Sequence, residues 1–188
     1  MTQSSDERVT DKRRRILEAA WALVLRQGLR GMTMEALARE AGIAKATLYA
    51  QFPDKDAVVA GVVDELLVAL KAAYAAGIES EKAVAERIGA ALASKYGVVA
   101  RALEGSPHRD EIFNEHRRIA ERFRAFDQGI ESDVVSRLAQ AGAPDANGLA
   151  RTILAAAAGI ARAMSDPAEI EKAIRLMARR MIAPEIRG

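Results

Sequence analysis

Along this chain apolar residues recur at steps of three and four, and the recurrence breaks where glycine or proline stands. The breaks fall at Gly28, Gly42, Phe52-Pro53, Gly77, Gly105-Ser106-Pro107, Gly142-Ala143-Pro144 and Asp166-Pro167. A recurrence of that period lines up one face of an α-helix and is incompatible with the alternation a half-buried strand requires. It therefore predicts an all-α chain of about nine helices. Composition agrees: aromatic residues make up only 4% of the 188 residues and charged residues 29%, with Ala, Leu, Arg and Glu, the better helix formers, recurring throughout.

The N-terminal part divides most clearly. Residues 1–9 are polar and without periodicity, and read as a disordered tail. From Thr10, Ile16, Leu17, Ala20, Leu23 and Val24 form one apolar stripe that ends at Gly28, with Trp21 at its edge as a partly buried packing residue. Thr33 stands as the N-cap of a second helix. Met32 before it and Leu37 at the fourth helical position make a hydrophobic staple, and Gly42 is placed to stop the helix. A third short helix, Ala44 to Gln51, ends at Phe52-Pro53, because proline cannot continue it. Asp54 then caps a longer helix carrying Val58, Val59, Val62, Val63, Leu66, Leu67 and Leu70. Further helical segments are expected over 81–104, 108–141, 145–164 and 167–182, with Ser106 and Asp166 as caps before a proline. The domain reading is a small unit over 10–55 and a larger helical unit over 56–188.

Net charge is +2, and its placement says more than its size. Residues 1–60 hold ten Lys or Arg against eight Asp or Glu, and the remainder holds eighteen of each, so the positive excess lies at the N-terminal end. Two short helices joined by a tight glycine turn, the second exposing polar side chains, form a helix-turn-helix pattern. Leu48 and Phe52 would anchor the second helix, leaving Lys45, Thr47, Tyr49 and Gln51 outward. Lysine can meet phosphate or guanine, threonine phosphate or a thymine methyl, glutamine adenine, and tyrosine phosphate. On spacing alone, 33–52 is equally a helical hairpin with a solvated face.

The run from Ala41 to Asp56, AGIAKATLYAQFPDKD, with Thr33, Leu37 and Ala38 before it and Arg13-Arg14-Arg15-Ile16-Leu17-Glu18-Ala19-Ala20 and Gly28 earlier, closely resembles the N-terminal domain of the tetracycline-repressor (TetR) family of bacterial transcriptional regulators. The resemblance spans about residues 10–60 and makes the unit over 10–55 a helix-turn-helix DNA-binding domain. It implies that Lys45 to Gln51, Ala46 included, is the recognition helix, and that Thr33, Tyr49 and Lys55 contact phosphate. Lys55 also fits independently, since it stands at a helix N-terminus, where backbone N–H groups favour an anion. Arg13 and Arg14 are weaker candidates for backbone contacts. Two departures stand out. Ala44 replaces the usual Ser or Thr, removing a cap worth about 1 kcal/mol, so the helix is expected to fray until DNA orders it. Gln51 replaces a usual His or Tyr.

The resemblance further implies a homodimer on a palindromic double-stranded operator and a C-terminal ligand-binding unit. The last two helices would pair with their symmetry mates through Leu154, Ala157, Ile160, Met164, Ile174 and Met177. Small residues in LARTILAAAAGIARAM independently permit close helix approach. Tyr74, Tyr96, Phe113, His116 and Phe123 are the candidate effector contacts, although an aromatic stripe at helical spacing is more often core than ligand cage. A small apolar or amphipathic effector is expected, and no cofactor. With no cysteine and two histidines, no metal site is expected. Neither a Ser/His/Asp grouping nor a phosphate loop is present, so an enzyme is a distant alternative to a repressor, and an effector-independent DNA-binding regulator or activator is the nearer one. No apolar run reaches the roughly 18 residues of a membrane span, and a cytoplasmic location is expected.

Overall fold

A computed structural model describes the backbone of residues 5–80, 83–114 and 116–186, and within these the side chains outside 5–10, 80, 110, 113–114 and 116–122. The described residues are helical with no strand. In chain order they form α1 (Ser5–Gly31), α2 (Met34–Glu40), α3 (Lys45–Gln51), α4 (Lys55–Ser80), α5 (Val84–Ala102), α6 (Arg109–Asn114), α7 (His116–Gln140), α8 (Ala146–Ala163) and α9 (Pro167–Glu185).

The chain resolves into two compact units. The first holds residues 1–66 and 105–120, the second 67–104 and 121–188. The division falls inside α4, later than the seam expected at 55, because Val58, Val59 and Val62 of its first turns pack into the core of the first unit.

In the first unit, α1 buries Ile16, Leu17, Ala20, Leu23 and Val24 on its stripe, against Leu37 and Ala38 of α2, Leu48 of α3 and Phe52. Gly28 breaks the helix at φ 72°, a left-handed conformation that glycine adopts without steric cost. At its other end α1 reaches back to Ser5, so residues 5–9 of the expected disordered tail are helical.

The caps of α2 are as the sequence reads. Thr33 Oγ1 accepts from the Ala36 N–H at 3.1 Å. At the far end Gly42 (φ 65°) closes a Schellman turn, with Ile43 N–H donating to Ala38 O at 3.0 Å and Gly42 N–H to Arg39 O at 3.2 Å. Asp54 caps α4 through the Ala57 N–H at 2.7 Å.

The segment expected as a helix over 108–141 is helical over Arg109–Asn114 and His116–Gln140, on either side of residue 115, which lies outside the described residues. Ser106 does not cap a helix at Pro107. Its hydroxyl donates to Leu25 O at 2.8 Å and accepts from the His108 N–H, tying the start of this segment to α1. Ile112 packs on the same core, and His108 Nδ1 meets Glu111 Oε2 at 3.2 Å.

The core of the second unit comes from α5, α7, α8 and α9, with Tyr74 and Ile78 from the end of α4. Gly77, expected as a helix break, lies inside α4. A Cβ there would stand 2.6 Å from Ala91 Cα of α5, so the residue is a contact point between two backbones. Asp145 and Asp166 cap α8 and α9 through the N–H groups of Gly148 and Glu169, each at 2.8 Å.

Candidate nucleic-acid interface

A seven-residue helix such as α3 is too short to be stable in isolation, since helix nucleation costs more than so few hydrogen bonds return. Its stability comes from its buried side. Leu48 is 0% exposed and Phe52 1%, each burial worth about 1.5–3 kcal/mol. With those two side chains inward, Lys45, Ala46, Tyr49 and Ala50 are exposed and Thr47 and Gln51 half-buried. Tyr49, at 46%, is among the few exposed large apolar side chains of the described residues. Ala44 is the N-cap and makes no side-chain bond. The first turn of the helix is closed by Leu48 N–H donating to Ala44 O at 3.1 Å.

Neighbouring elements hold the rest of the face. Lys45 Nζ lies 3.0 Å from Glu35 Oε1 of α2, both side chains well exposed. That contact, first as a hydrogen bond and then as a charge, lowers the Glu35 carboxyl below its usual range. Glu35 was not anticipated. It stands ten residues before Lys45, and the turn at Gly42 rather than any helical repeat brings the two together. Lys55 Nζ donates to the carbonyl of Leu29, tying the end of α1, just past the Gly28 break, to the start of α4. Arg13 reaches the end of α3: its guanidinium lies 4.1 Å from the centroid of the Phe52 ring, and Nη1 donates to Gln51 O at 3.3 Å. Arg14 is held by Asp11 and Glu18 on its own helix. Thr33, Lys45, Ala46, Thr47, Tyr49, Gln51 and Lys55 thus all belong to α3, its turn and the helix starts beside it.

Of the expected effector residues, Tyr74, Tyr96 and Phe123 fall in the second unit. Tyr74 is buried, and its hydroxyl donates to Asp133 Oδ2 at 2.8 Å, an oxygen that also accepts from Arg137 Nε at 2.8 Å. Burial first, and the bond to Asp133 second, push the Tyr74 phenol far up. Tyr96 is half-buried beside Lys95, whose ammonium is 4.8 Å from its ring and 5.4 Å from that of Phe126, and burial raises its phenol too. Lys95 is 8% exposed, the one buried charged residue among the described residues, and pairs with Asp127 at 2.9 Å. Phe123 is half-buried on α7. Phe113 and His116 fall in the stretch grouped with the first unit, and their side chains lie outside the described residues. Among the described residues no three His, Cys, Asp or Glu side chains converge as metal ligands, and no helix is long and apolar enough to cross a membrane.

Two of the expected dimer residues need correction. Ala157 and Ile174 are 0% exposed, sealed in the core of their own unit, so neither offers surface to a partner. The outward stripe of α8 instead carries Arg151, Ala155, Ala158, Gly159 and Arg162, flanked by half-buried Leu154, Ile160 and Met164. On α9, Leu176 is exposed and Met177 half-buried.

Residues 16–62 match the family model for bacterial regulatory proteins of the tetR family. No curated protein sequence matches the chain significantly. Solved structures share its fold over nearly the whole length. A TetR-family transcriptional regulator from Streptomyces coelicolor is 20% identical with a TM-score of 0.74, covering 99% of this chain and 98% of its own. A transcriptional regulator from Rhodococcus sp. Rha1 is 22% identical with a TM-score of 0.68, covering 92% and 96%. The TetR-family regulator PfmR from Thermus thermophilus is 20% identical with a TM-score of 0.65, covering 97% of each. The N-terminal segment from α1 to α4 thus matches the model of the tetR-family regulatory proteins, and the chain shares the fold of these solved regulators over nearly its full length.

Proposed function

We propose that the chain is a ligand-responsive repressor that binds a palindromic operator as a homodimer, reading it with the outward face of α3. The observation that carries this reading is the division of α3 itself: Leu48 and Phe52 fully buried, Lys45, Ala46 and Tyr49 exposed, with Thr33 and Lys55 at the adjacent helix starts. An anchored back lets the front enter a major groove as a rigid unit, while the helix starts meet the backbone. The exposed small residues of α8, beside Leu154, Ile160, Met164 and Leu176, suit a close two-fold pairing of helices. Such a pair would place two α3 helices on successive half-sites. The effector is a small apolar or amphipathic molecule held in the second unit, where Tyr74, Tyr96 and Phe123 lie. A molecule that binds one arrangement of the dimer better shifts the population towards it, and operator affinity follows.

The reading is tested residue by residue on a duplex that the chain selects from a random pool. Lys55→Ala should weaken binding to every duplex and lower the slope of log affinity against log salt by about 0.9, the loss of one phosphate contact. Gln51→Ala should change which duplex is preferred. Equal loss on every sequence variant would exclude base reading by Gln51.

A further inference from the structure

Arg13 lies just before the segment that matches the family model, residues 16–62. Three observations tie it to α3. Its guanidinium stacks over the Phe52 ring and its Nη1 donates to the carbonyl of Gln51, the last residue of the helix. Phe52, the C-cap of α3, is otherwise enclosed: a Cβ on Gly61 of α4 would stand 3.2 Å from its ring and 2.9 Å from Leu17 of α1. And α3 supplies little of its own: no side-chain cap at Ala44 and no basic residue in its last turn.

The final carbonyls of a helix have no partner within it, and its C-terminal end favours a positive charge. Arg13 meets both needs from another helix, and its planar fork can stack on a ring while donating hydrogen bonds in its own plane, which an ammonium cannot. A guanidinium on the basic face of a DNA-binding unit would ordinarily be read as a phosphate contact. Here it is directed at the end of the recognition helix. We propose that Arg13 is a positioning residue: it fixes the C-terminal end of α3, and so sets where Tyr49 and Gln51 stand in the groove, without itself neutralising a phosphate. The consequence for sequence reading rests on the DNA-binding function above; the positioning does not.

Two measurements decide it on Arg13→Lys and Arg13→Gln. Hydrogen exchange of the α3 amides, read on the full chain without DNA, should accelerate by about three- to tenfold in both variants at an unchanged global melting temperature. Affinity for the duplex selected by the wild type should fall about tenfold in both, with its salt slope unchanged and the loss on random-sequence duplex smaller. Full rescue by lysine, unchanged α3 exchange, or a slope lowered by about 0.9 would each overturn the proposal and make Arg13 a phosphate contact or a passive surface residue. Because exchange needs no DNA, a chain that selected no duplex would refute the function while leaving the positioning of α3 to be decided by exchange alone.

Discussion

Gly129 and Gly159 make a matched pair for testing the dimer. Both lie inside long helices, α7 and α8, both are exposed, and a Cβ added to either would have nothing within 4 Å in the protomer. In an isolated protomer each Gly→Ala change therefore acts through backbone entropy alone. Each should stabilise by about 0.8–1.0 kcal/mol, or about 2–4 °C in a chain of this size. Gly129→Ala should deliver that gain at every protein concentration. Gly159 sits on the outward stripe of α8 with Ala155 and Ala158, and in a two-fold interface both copies would carry the added methyl. Overpacking costs about 1–3 kcal/mol, so the gain should vanish and the dimer dissociate about tenfold or more readily, about 1.4 kcal/mol being a factor of ten. Gly159→Leu should give monomers. The assay is thermal and urea unfolding over a hundredfold concentration range, with sedimentation to count chains. If Gly159→Ala gains as much as Gly129→Ala and Gly159→Leu stays dimeric, α8 is not the dimer face.

Other outcomes follow from the same structure. Lys95 is buried against two rings with a half-exposed carboxylate as its partner, so Lys95→Met should be neutral or stabilising, whereas Asp127→Ala, which strands the ammonium, should cost about 1–3 kcal/mol in urea unfolding. Tyr74 has its phenol raised above the ordinary 10.0 by burial and Asp133. The native state then holds its proton more tightly than the unfolded chain, so this stability is full below about pH 10 and is lost as pH rises above it. Urea unfolding from about pH 8 to 11 should fall less steeply for Tyr74→Phe, which should also lose about 1 kcal/mol at the lower end of that range. Gly42→Ala meets no atoms but must hold φ 65°, so it should cost about 1–2 kcal/mol, all of it backbone strain.

The helix-turn-helix was legible because its determinants are local. Thr33 caps three residues on, Gly42 stops the helix it follows, and Leu48 and Phe52 are spaced to share one face. What escaped the sequence depends on partners far along the chain. Gly77 reads as a break until α5 is seen to pass against it, and nothing in the sequence spacing joins Arg13 to Phe52 or Glu35 to Lys45. The phase of α8 was ambiguous for a different reason. With alanine on nearly every face, apolar periodicity does not distinguish Ala157, which faces the core, from Ala155 and Ala158, which face out.

The central claim is that the outward face of α3 reads double-stranded DNA. Fluorescence anisotropy should be followed from about 50 to 200 mM salt, on the duplex the chain selects and on the same bases scrambled. The expected result is two chains per selected duplex, affinity falling steeply with salt on both, and a preference for the selected duplex of about a thousandfold or more that Tyr49→Ala with Gln51→Ala abolishes. Equal affinity for the two duplexes, or a preference that survives the double substitution, would contradict it.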